Sequence, residues 1–218
     1  FILRDNINTS ALTAAIASLV ILYNQTEAFD ALQEVNSYIF DIRDKNALLQ
    51  KIVDSATKIG NYKVGFITLV ENNKVFAMTI SRTNYSVEAA LTLLGQSFDR
   101  FYADLEKDDT LTIRAIKENK IYIGDKFSDF VCPPAPLIAT NIGQSIVGVN
   151  RFIAIPINTL DKIIGTLNIA SVTDFSDDQI IQLKNYADQI GIAISLSTLF
   201  EQKQIEVIKL IQKNEDIS

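Results

Sequence analysis

The sequence predicts an α+β fold in which an antiparallel sheet is flanked by amphipathic helices. Extended segments rich in β-branched and aromatic residues occur as two pairs joined by short turns, and helical periodicity precedes and follows them. The 218 residues are 48% hydrophobic, with only 8 glycines and 4 prolines. This composition is typical of one folded domain with helical extensions.

The first hairpin pattern covers residues 62–71 and 74–82, with Asn72-Asn73 as the turn. Apolar side chains occupy both faces of the first strand, so we expect it to be covered on both sides. An amphipathic helix precedes this hairpin, and its apolar face consists of Leu48, Leu49, Ile52, Val53 and Ala56.

The middle of the chain is less regular. The spacing of apolar residues predicts a helix over 86–107, a short helix over 113–119 and a strand over 121–123. Residues 124–148 contain Cys132-Pro133-Pro134 and Pro136, and the two adjacent prolines forbid a helix or a central strand there. Long irregular segments of this kind are often binding loops.

A second hairpin pattern covers residues 152–158 and 162–172 and is followed by a long helix. Asp174 or Ser176 is the predicted cap, and the acidic pair Asp177-Asp178 suits the positive end of the helix dipole. The helical period continues to about residue 213, interrupted at Lys203, so we expect the extension to have a partner helix.

Residues 9–43 carry two apolar seams that are out of phase across residues 24–27. This pattern fits one helix with a coiled-coil discontinuity, or two helices with Thr26 as a cap.

The apolar stretch 11–23 is shorter than the roughly 20 residues of a membrane span, so we expect no membrane span in this fragment. A span could precede Phe1 in a membrane-anchored parent protein. The terminal seams predict a homodimeric coiled coil. Its predicted interface consists of Leu12, Ile16, Leu19, Tyr23, Val35, Ile39, Leu196, Phe200, Val207 and Leu210.

The composition excludes several classes of function. Without any histidine the chain cannot use Ser-His-Asp or Cys-His catalysis, ligate haem through histidine or accept a phosphoryl group on histidine. The net charge is −6 and the basic residues are scattered, so we expect no nucleic-acid partner. The single cysteine, Cys132, forms no internal disulfide, which suits the cytoplasm. We expect no cofactor and no metal site.

Several short segments of residues 149–194 have a distinctive order and spacing. They are Ile153-Ala154-Ile155-Pro156-Ile157, Ile164-Gly165-Thr166-Leu167-Asn168-Ile169, Phe175-Ser176-Asp177-Asp178, Leu183, Ala187-Asp188-Gln189 and Ala193-Ile194. In physical terms, Pro156 ends a strand, Gly165 permits a tight turn or close packing, and Ser176 caps the closing helix. In these segments the chain resembles the C-terminal half of a GAF domain. Residues 45–82 resemble the family's opening helix and hairpin, so the likeness covers about residues 30–200.

The resemblance implies a sheet of about six strands, with helices on one face and a small-molecule pocket between the other face and the variable loops. It also implies an N-terminal signalling and dimerisation region (1–43), a sensor domain (44–195) and a C-terminal connecting helix (196–218). We therefore expect a non-catalytic sensory domain that binds a small cytoplasmic ligand. The ligand-bound or ligand-free state of the domain would pass through dimeric terminal helices to an output domain of the same signal-transduction protein. The alternative is a ligand-free GAF scaffold used for dimerisation or protein–protein interaction.

Three ligand-binding classes of the family each require a sequence motif that can be looked for in this chain. Bilin-binding members use a cysteine followed by histidine, whereas Pro133 follows Cys132 here. Members that bind cyclic nucleotides carry an Asn-Lys pattern completed by Phe-x-x-x-Asp-Glu, of which only Asn73-Lys74 is present. Members that reduce free methionine sulfoxide need several cysteines. None of the three classes is predicted, and the ligand is left open.

The candidate ligand-binding residues combine aromatic side chains with polar groups of the irregular region. Arg151 could neutralise an anionic ligand, Asp129 could accept a hydrogen bond from an amine, and Cys132 could contact the ligand as a thiol. Each has a structural alternative, since strand aromatics are core by default, loop carboxylates are solvated and a lone cysteine is usually a small buried hydrophobe. The candidates are Phe66, Tyr122, Phe127, Asp129, Cys132 and Arg151.

Overall fold

The computed structural model describes residues 45–81, 85–92, 101–159 and 162–215. Of the predicted dimer interface, Leu196 is described and is half-buried. The predicted N-terminal helical region lies outside the described residues, and the side chains of the last interface residues are not described either. The interface predictions that therefore stay untested by the structure are Leu12, Ile16, Leu19, Tyr23, Val35, Ile39, Phe200, Val207 and Leu210.

The described residues form six helices and six strands. The helices are α1 (Lys45–Ile59), α2 (Tyr85–Thr92), α3 (Leu111–Glu118), α4 (Ser128–Val131), α5 (Leu137–Val147) and α6 (Asp177–Glu215). The strands are β1 (Val64–Glu71), β2 (Lys74–Ile80), β3 (Tyr102–Asp104), β4 (Tyr122–Gly124), β5 (Arg151–Asn158) and β6 (Ile163–Ser171).

The strands form one sheet with the order β3-β2-β1-β6-β5-β4, and every neighbouring pair is antiparallel. The central pair joins the two hairpins, with a register that runs from Val64 opposite Ala170 to Leu69 opposite Gly165. The predicted α+β class, the antiparallel sheet of about six strands and both predicted hairpins are therefore confirmed.

One face of the sheet packs against α1 and α6. The apolar face predicted for α1 is fully buried there, since each of its five residues is at most 2% exposed. Ile67 of β1, Ile155 of β5 and Ile190 of α6 belong to the same buried cluster. This layer is the main core of the domain.

The opposite face of the sheet carries a second buried cluster, which includes Val64, Phe66, Phe152 and Ala170. Helices α2 to α5 supply its cover, with Val87 of α2 and Phe130 of α4 among the buried side chains. The prediction that β1 is covered on both sides is confirmed.

The helix predicted over residues 86–107 is wrong at residues 101–107. The described part of α2 covers Tyr85–Thr92, and residues 102–104 are the edge strand β3. Pairing of Ala103 with Val75 and a hydrogen bond from Leu105 N to Asn73 O, at 3.0 Å, hold this strand against the first hairpin. A contact with a distant hairpin thus overrides the local helical spacing.

The prediction that residues 124–148 are irregular is also wrong in part, because they contain α4 and α5. The proline segment forms the turn between the two helices. Helix α5 begins directly after Pro136 and ends at Gly148, which adopts a positive φ of 70° and donates its N–H to Gln144 O. Proline at the start and glycine just past the end are ordinary helix boundaries.

Gly165 of β6 lies too close to the backbone of β1 to carry a side chain. A Cβ at this position would lie 1.9 Å from the Thr68 carbonyl oxygen, which is backbone that cannot rotate away. We expect Gly165→Ala to lower the free energy of unfolding by about 3 kcal/mol, at the upper end of overpacking costs. Urea denaturation followed by circular dichroism measures this change.

Gly143→Ala is the matched control. A Cβ on Gly143, inside α5, would meet Ala90 Cβ at 3.5 Å, an ordinary contact. Because alanine is the better helix former, we expect this substitution to raise the free energy of unfolding by about 0.5–1 kcal/mol. Equal stability of the two variants would contradict the close approach of β1 and β6.

Candidate functional site

Two apolar chambers lie between the sheet and its cover of short helices, each with a volume of about 60 Å³. The α2–α5 chamber is bounded by those two helices and by β1, β5 and β6. The α3–α4 chamber is bounded by β1, β2, β3 and the two helices that name it. Phe66 and Phe127 line both chambers, so these two side chains form the boundary between them.

The ring of Phe127 is held by two other aromatic rings. It meets the edge of Phe66 with centroids 6.0 Å apart and stacks on Phe152 at 5.4 Å with an interplanar angle of 20°. Both geometries are favoured for aromatic pairs. Phe127 is only half-buried, in contrast to Phe66 and Phe152, which strands β1 and β5 hold in the core.

Gln144 of α5 fixes the backbone that carries Phe127. Its Oε1 accepts a hydrogen bond from Phe127 N at 2.9 Å, and its Nε2 donates to Asp125 O at 2.8 Å and to Val149 O at 3.2 Å. One side chain therefore ties the segment between β4 and α4 to the end of α5. Gln144 also lines the α2–α5 chamber.

Polar side chains on the same face of the sheet bind one another. Thr68 and Thr166 hydroxyls lie 2.7 Å apart, Asn168 Nδ2 donates to Thr166 Oγ1 at 2.8 Å, and Thr112 Oγ1 donates to Asn168 Oδ1 at 3.3 Å. All four side chains are buried. Because their hydrogen bonds are satisfied within the sheet and α3, they leave the chamber walls apolar.

The structure brings together two of the six predicted ligand-binding residues, Phe66 and Phe127. Tyr122 lies on β4, where its hydroxyl forms a hydrogen bond with Glu118, and this bond raises the tyrosine pKa above its usual value. Asp129 is exposed and lines an open polar cleft outside the two chambers. Arg151 forms an ion pair with Asp174 at the start of β5. The binding roles of all six residues stay predictions.

Cys132 lies at the end of α4, half-buried, with its Sγ 3.4 Å from Thr140 Oγ1. Burial raises the pKa of the thiol, the hydrogen bond with Thr140 lowers it, and the charge of Asp129 raises it. The net direction is upward, so the thiol is protonated at neutral pH and is a poor nucleophile.

Sequence reasoning missed the chamber residues contributed by α5 and by β5, notably Thr140, Gly143, Gln144 and Phe152. A signal for α5 was present, since Pro136 and Gly148 bracket a helix-length segment with residues 140, 143, 144 and 147 on one face. For Phe152 no local signal separates a chamber residue from a core residue.

We expect Gln144→Ala to lower the free energy of unfolding by about 2 kcal/mol, because three hydrogen bonds are lost and two carbonyls and one amide must find water. Urea denaturation measures the change in stability, and hydrogen exchange at the Phe127 amide should become faster in this variant. The control is Ser145→Ala, which removes only a bond to Asn141 O within the helix and should change stability by about 0.5 kcal/mol or less. Similar behaviour of the two variants would show that Gln144 does not hold Phe127.

A family model described as GAF domain matches residues 43–195, which is more than half of the chain. No curated protein sequence matches the chain significantly.

Solved structures with the same fold come from several kinds of protein. A methyl-accepting chemotaxis protein, residues 122 to 287, is 15% identical with a TM-score of 0.57, covering 76% of this chain and 98% of its own. A phycoerythrobilin-bound GAF domain from a cyanobacterial phytochrome is 14% identical with a TM-score of 0.58, covering 80% and 97%. A free methionine-R-sulfoxide reductase from Neisseria meningitidis, in complex with its substrate, is 11% identical with a TM-score of 0.56, covering 79% and 90%. These likenesses show the fold, and the family match over residues 43–195 shows that the chain belongs to the GAF domain family, which is generally sensory and regulatory in signalling proteins.

Proposed function

We propose that this GAF domain senses a small cytoplasmic ligand, which enters the chambers beside Phe127, and passes the change to an output domain of the same parent chain. The observation that carries the proposal is the pair of chambers on the sheet face opposite to α1 and α6. Ligand pockets are concave and mostly apolar, as these chambers are.

Strand β5 supports a route from the chambers to α6. Phe152 lines the α2–α5 chamber, and on the other face Ile153 and Ile155 pack in the cluster that contains α6. At the end of the strand a Cβ on Gly191 of α6 would lie 1.9 Å from Asn158 O, so helix and strand are in direct backbone contact. A shift of β5 therefore moves the helix with it.

Helix α6 supports a dimeric relay. It continues to Glu215, well beyond Ile194, the last of its residues in the main core. Ile192 and Leu199 are 56% and 55% exposed on it, and Ile181 and Ile205 are exposed as well. Apolar side chains on a helix that outruns its domain are typical of a coiled-coil partner surface.

None of the described helices is long and apolar enough to cross a membrane.

We infer that the domain is not an enzyme. The methionine sulfoxide reductase with the same fold acts on a sulfoxide, and reduction of that kind needs a second thiol to form a disulfide. This chain has Cys132 alone, and its raised pKa works against nucleophilic attack.

The second candidate is a ligand-free scaffold for dimerisation or protein–protein interaction. The observation that favours it is that Phe127 already occupies the space between the two chambers. In this case the domain's own side chain fills the pocket permanently, and only the helices carry information.

Ligand capture separates the two candidates. We expect the 218-residue chain, incubated with a cytoplasmic small-molecule extract and then dialysed, to retain a compound detectable by mass spectrometry. The double variant Ala77→Leu/Ala90→Leu fills both chambers and should retain none, because its added side chains take the ligand's space. If native and filled chains retain the same compounds, the scaffold is the better description.

Dimerisation through α6 has its own test. We expect Ile192→Asp/Leu199→Asp to shift the chain from dimer to monomer in analytical ultracentrifugation, because charges replace exposed apolar contacts on one helix. Ile138→Asp on α5, where the wild-type side chain is 76% exposed, is the control and should leave the dimer intact. A dimer that tolerates the α6 changes and is lost with the control would place the interface elsewhere.

A further inference from the structure

The walls of the chambers restrict the charge of the molecule that they can hold. No lysine, arginine, aspartate or glutamate is among the described residues that line either chamber. The side chains of Thr68, Thr112, Thr166 and Asn168 already bind one another. An ionised group in either chamber would lose hydration and gain no charged partner from these described residues, so we expect the part of a ligand that enters to be uncharged.

The size of the chambers restricts where a ring can lie. Each holds about 60 Å³, which is less than the roughly 150 Å³ of an apolar cavity that accepts benzene. The rings of Phe127 and Phe66 line both chambers and form the boundary between them. Displacement of the Phe127 ring would add the space of that ring to the chambers.

The surroundings of Phe127 favour an aromatic replacement. Phe66 of β1 presents an edge contact to this ring, and Phe152 of β5 presents a stacking surface. Phe127 itself is half-buried and precedes α4, while its backbone N–H is held by Gln144. Because that hydrogen bond involves only the backbone N–H, a rotation about the side-chain bonds would not break it.

We propose that the ligand of this domain presents an uncharged aromatic ring, which displaces the Phe127 ring and takes over its contacts with Phe66 and Phe152. The inference rests on the proposed ligand-binding function and adds the chemical class and the position of the ligand. Phe127 acts as the chain's own substitute for the ligand, so that the empty and the bound states differ in where this ring lies.

Four probes of similar size test the class with the whole chain: toluene, methylcyclohexane, benzoate and benzylammonium. We expect toluene to raise the melting temperature, methylcyclohexane to bind more weakly because it does not stack, and the two ions to have no effect. Binding of benzoate or benzylammonium at least as tight as that of toluene overturns the uncharged class. Equal binding of toluene and methylcyclohexane overturns the aromatic class.

Two substitutions test the position. Phe127→Ala removes the ring that must be displaced, so toluene should bind about tenfold more tightly, because the competent state no longer has to be selected. Ala90→Leu, which narrows the α2–α5 chamber, should weaken toluene binding, while its neighbour Ala89→Leu, on the exposed side of the same helix, should not. Weaker binding by Phe127→Ala, or equal effects of the two leucine variants, overturns the displacement.

These outcomes are distinct from failure of the proposed function. Capture of a charged or non-aromatic metabolite from the extract, lost in the chamber-filled variant, would retain the sensor and overturn the aromatic ligand. Absence of toluene binding to both the native chain and Phe127→Ala would also overturn the aromatic ligand, whatever the extract shows.

Discussion

The pairing of β1 with β6 in the centre of the sheet is the contact on which the rest of the structure depends. It joins two hairpins that lie about a hundred residues apart in the chain, and it requires glycine at position 165, where a Cβ would clash with the Thr68 carbonyl oxygen. On one face the pairing sets Phe66 opposite Asn168 and Thr68 opposite Thr166. On the other it sets Ile67 opposite Leu167. One strand pair therefore builds both the chamber floor and the main core.

The two buried faces of the sheet differ in how closely their side chains pack. The face under α1 and α6 is filled by closely packed aliphatic side chains, so it resists deformation. The face under α2 to α5 is covered by short helices and contains the two chambers. Since alternate residues of β5 belong to the two faces, a change beside Phe152 has a direct mechanical connection to Ile153, Ile155 and the helix behind them.

The chamber walls are apolar because the polar side chains beside them form hydrogen bonds with one another. Thr68, Thr112, Thr166 and Asn168 would make a polar binding surface if they faced a cavity without partners. Instead they complete one hydrogen-bonded chain between the sheet and α3. A fold alone does not specify a ligand. We propose that the ligand specificity of this domain comes from satisfied polar groups, an aromatic lining and the half-buried ring of Phe127.

The fold class, both hairpins, the buried face of α1 and the long closing helix α6 were predictable from the amino-acid pattern, because each depends on a periodicity over a few turns or a few strand residues. Phe66 and Phe127 were among the candidates that the pattern indicated. The edge strand at residues 102–104, the ion pair of Arg151 with Asp174 and the hydrogen bond of Gln144 with Phe127 N were visible only in the folded chain. Residues distant in the chain meet in each of these contacts, and the volume of a chamber is the space that such residues leave between them, which no local pattern records.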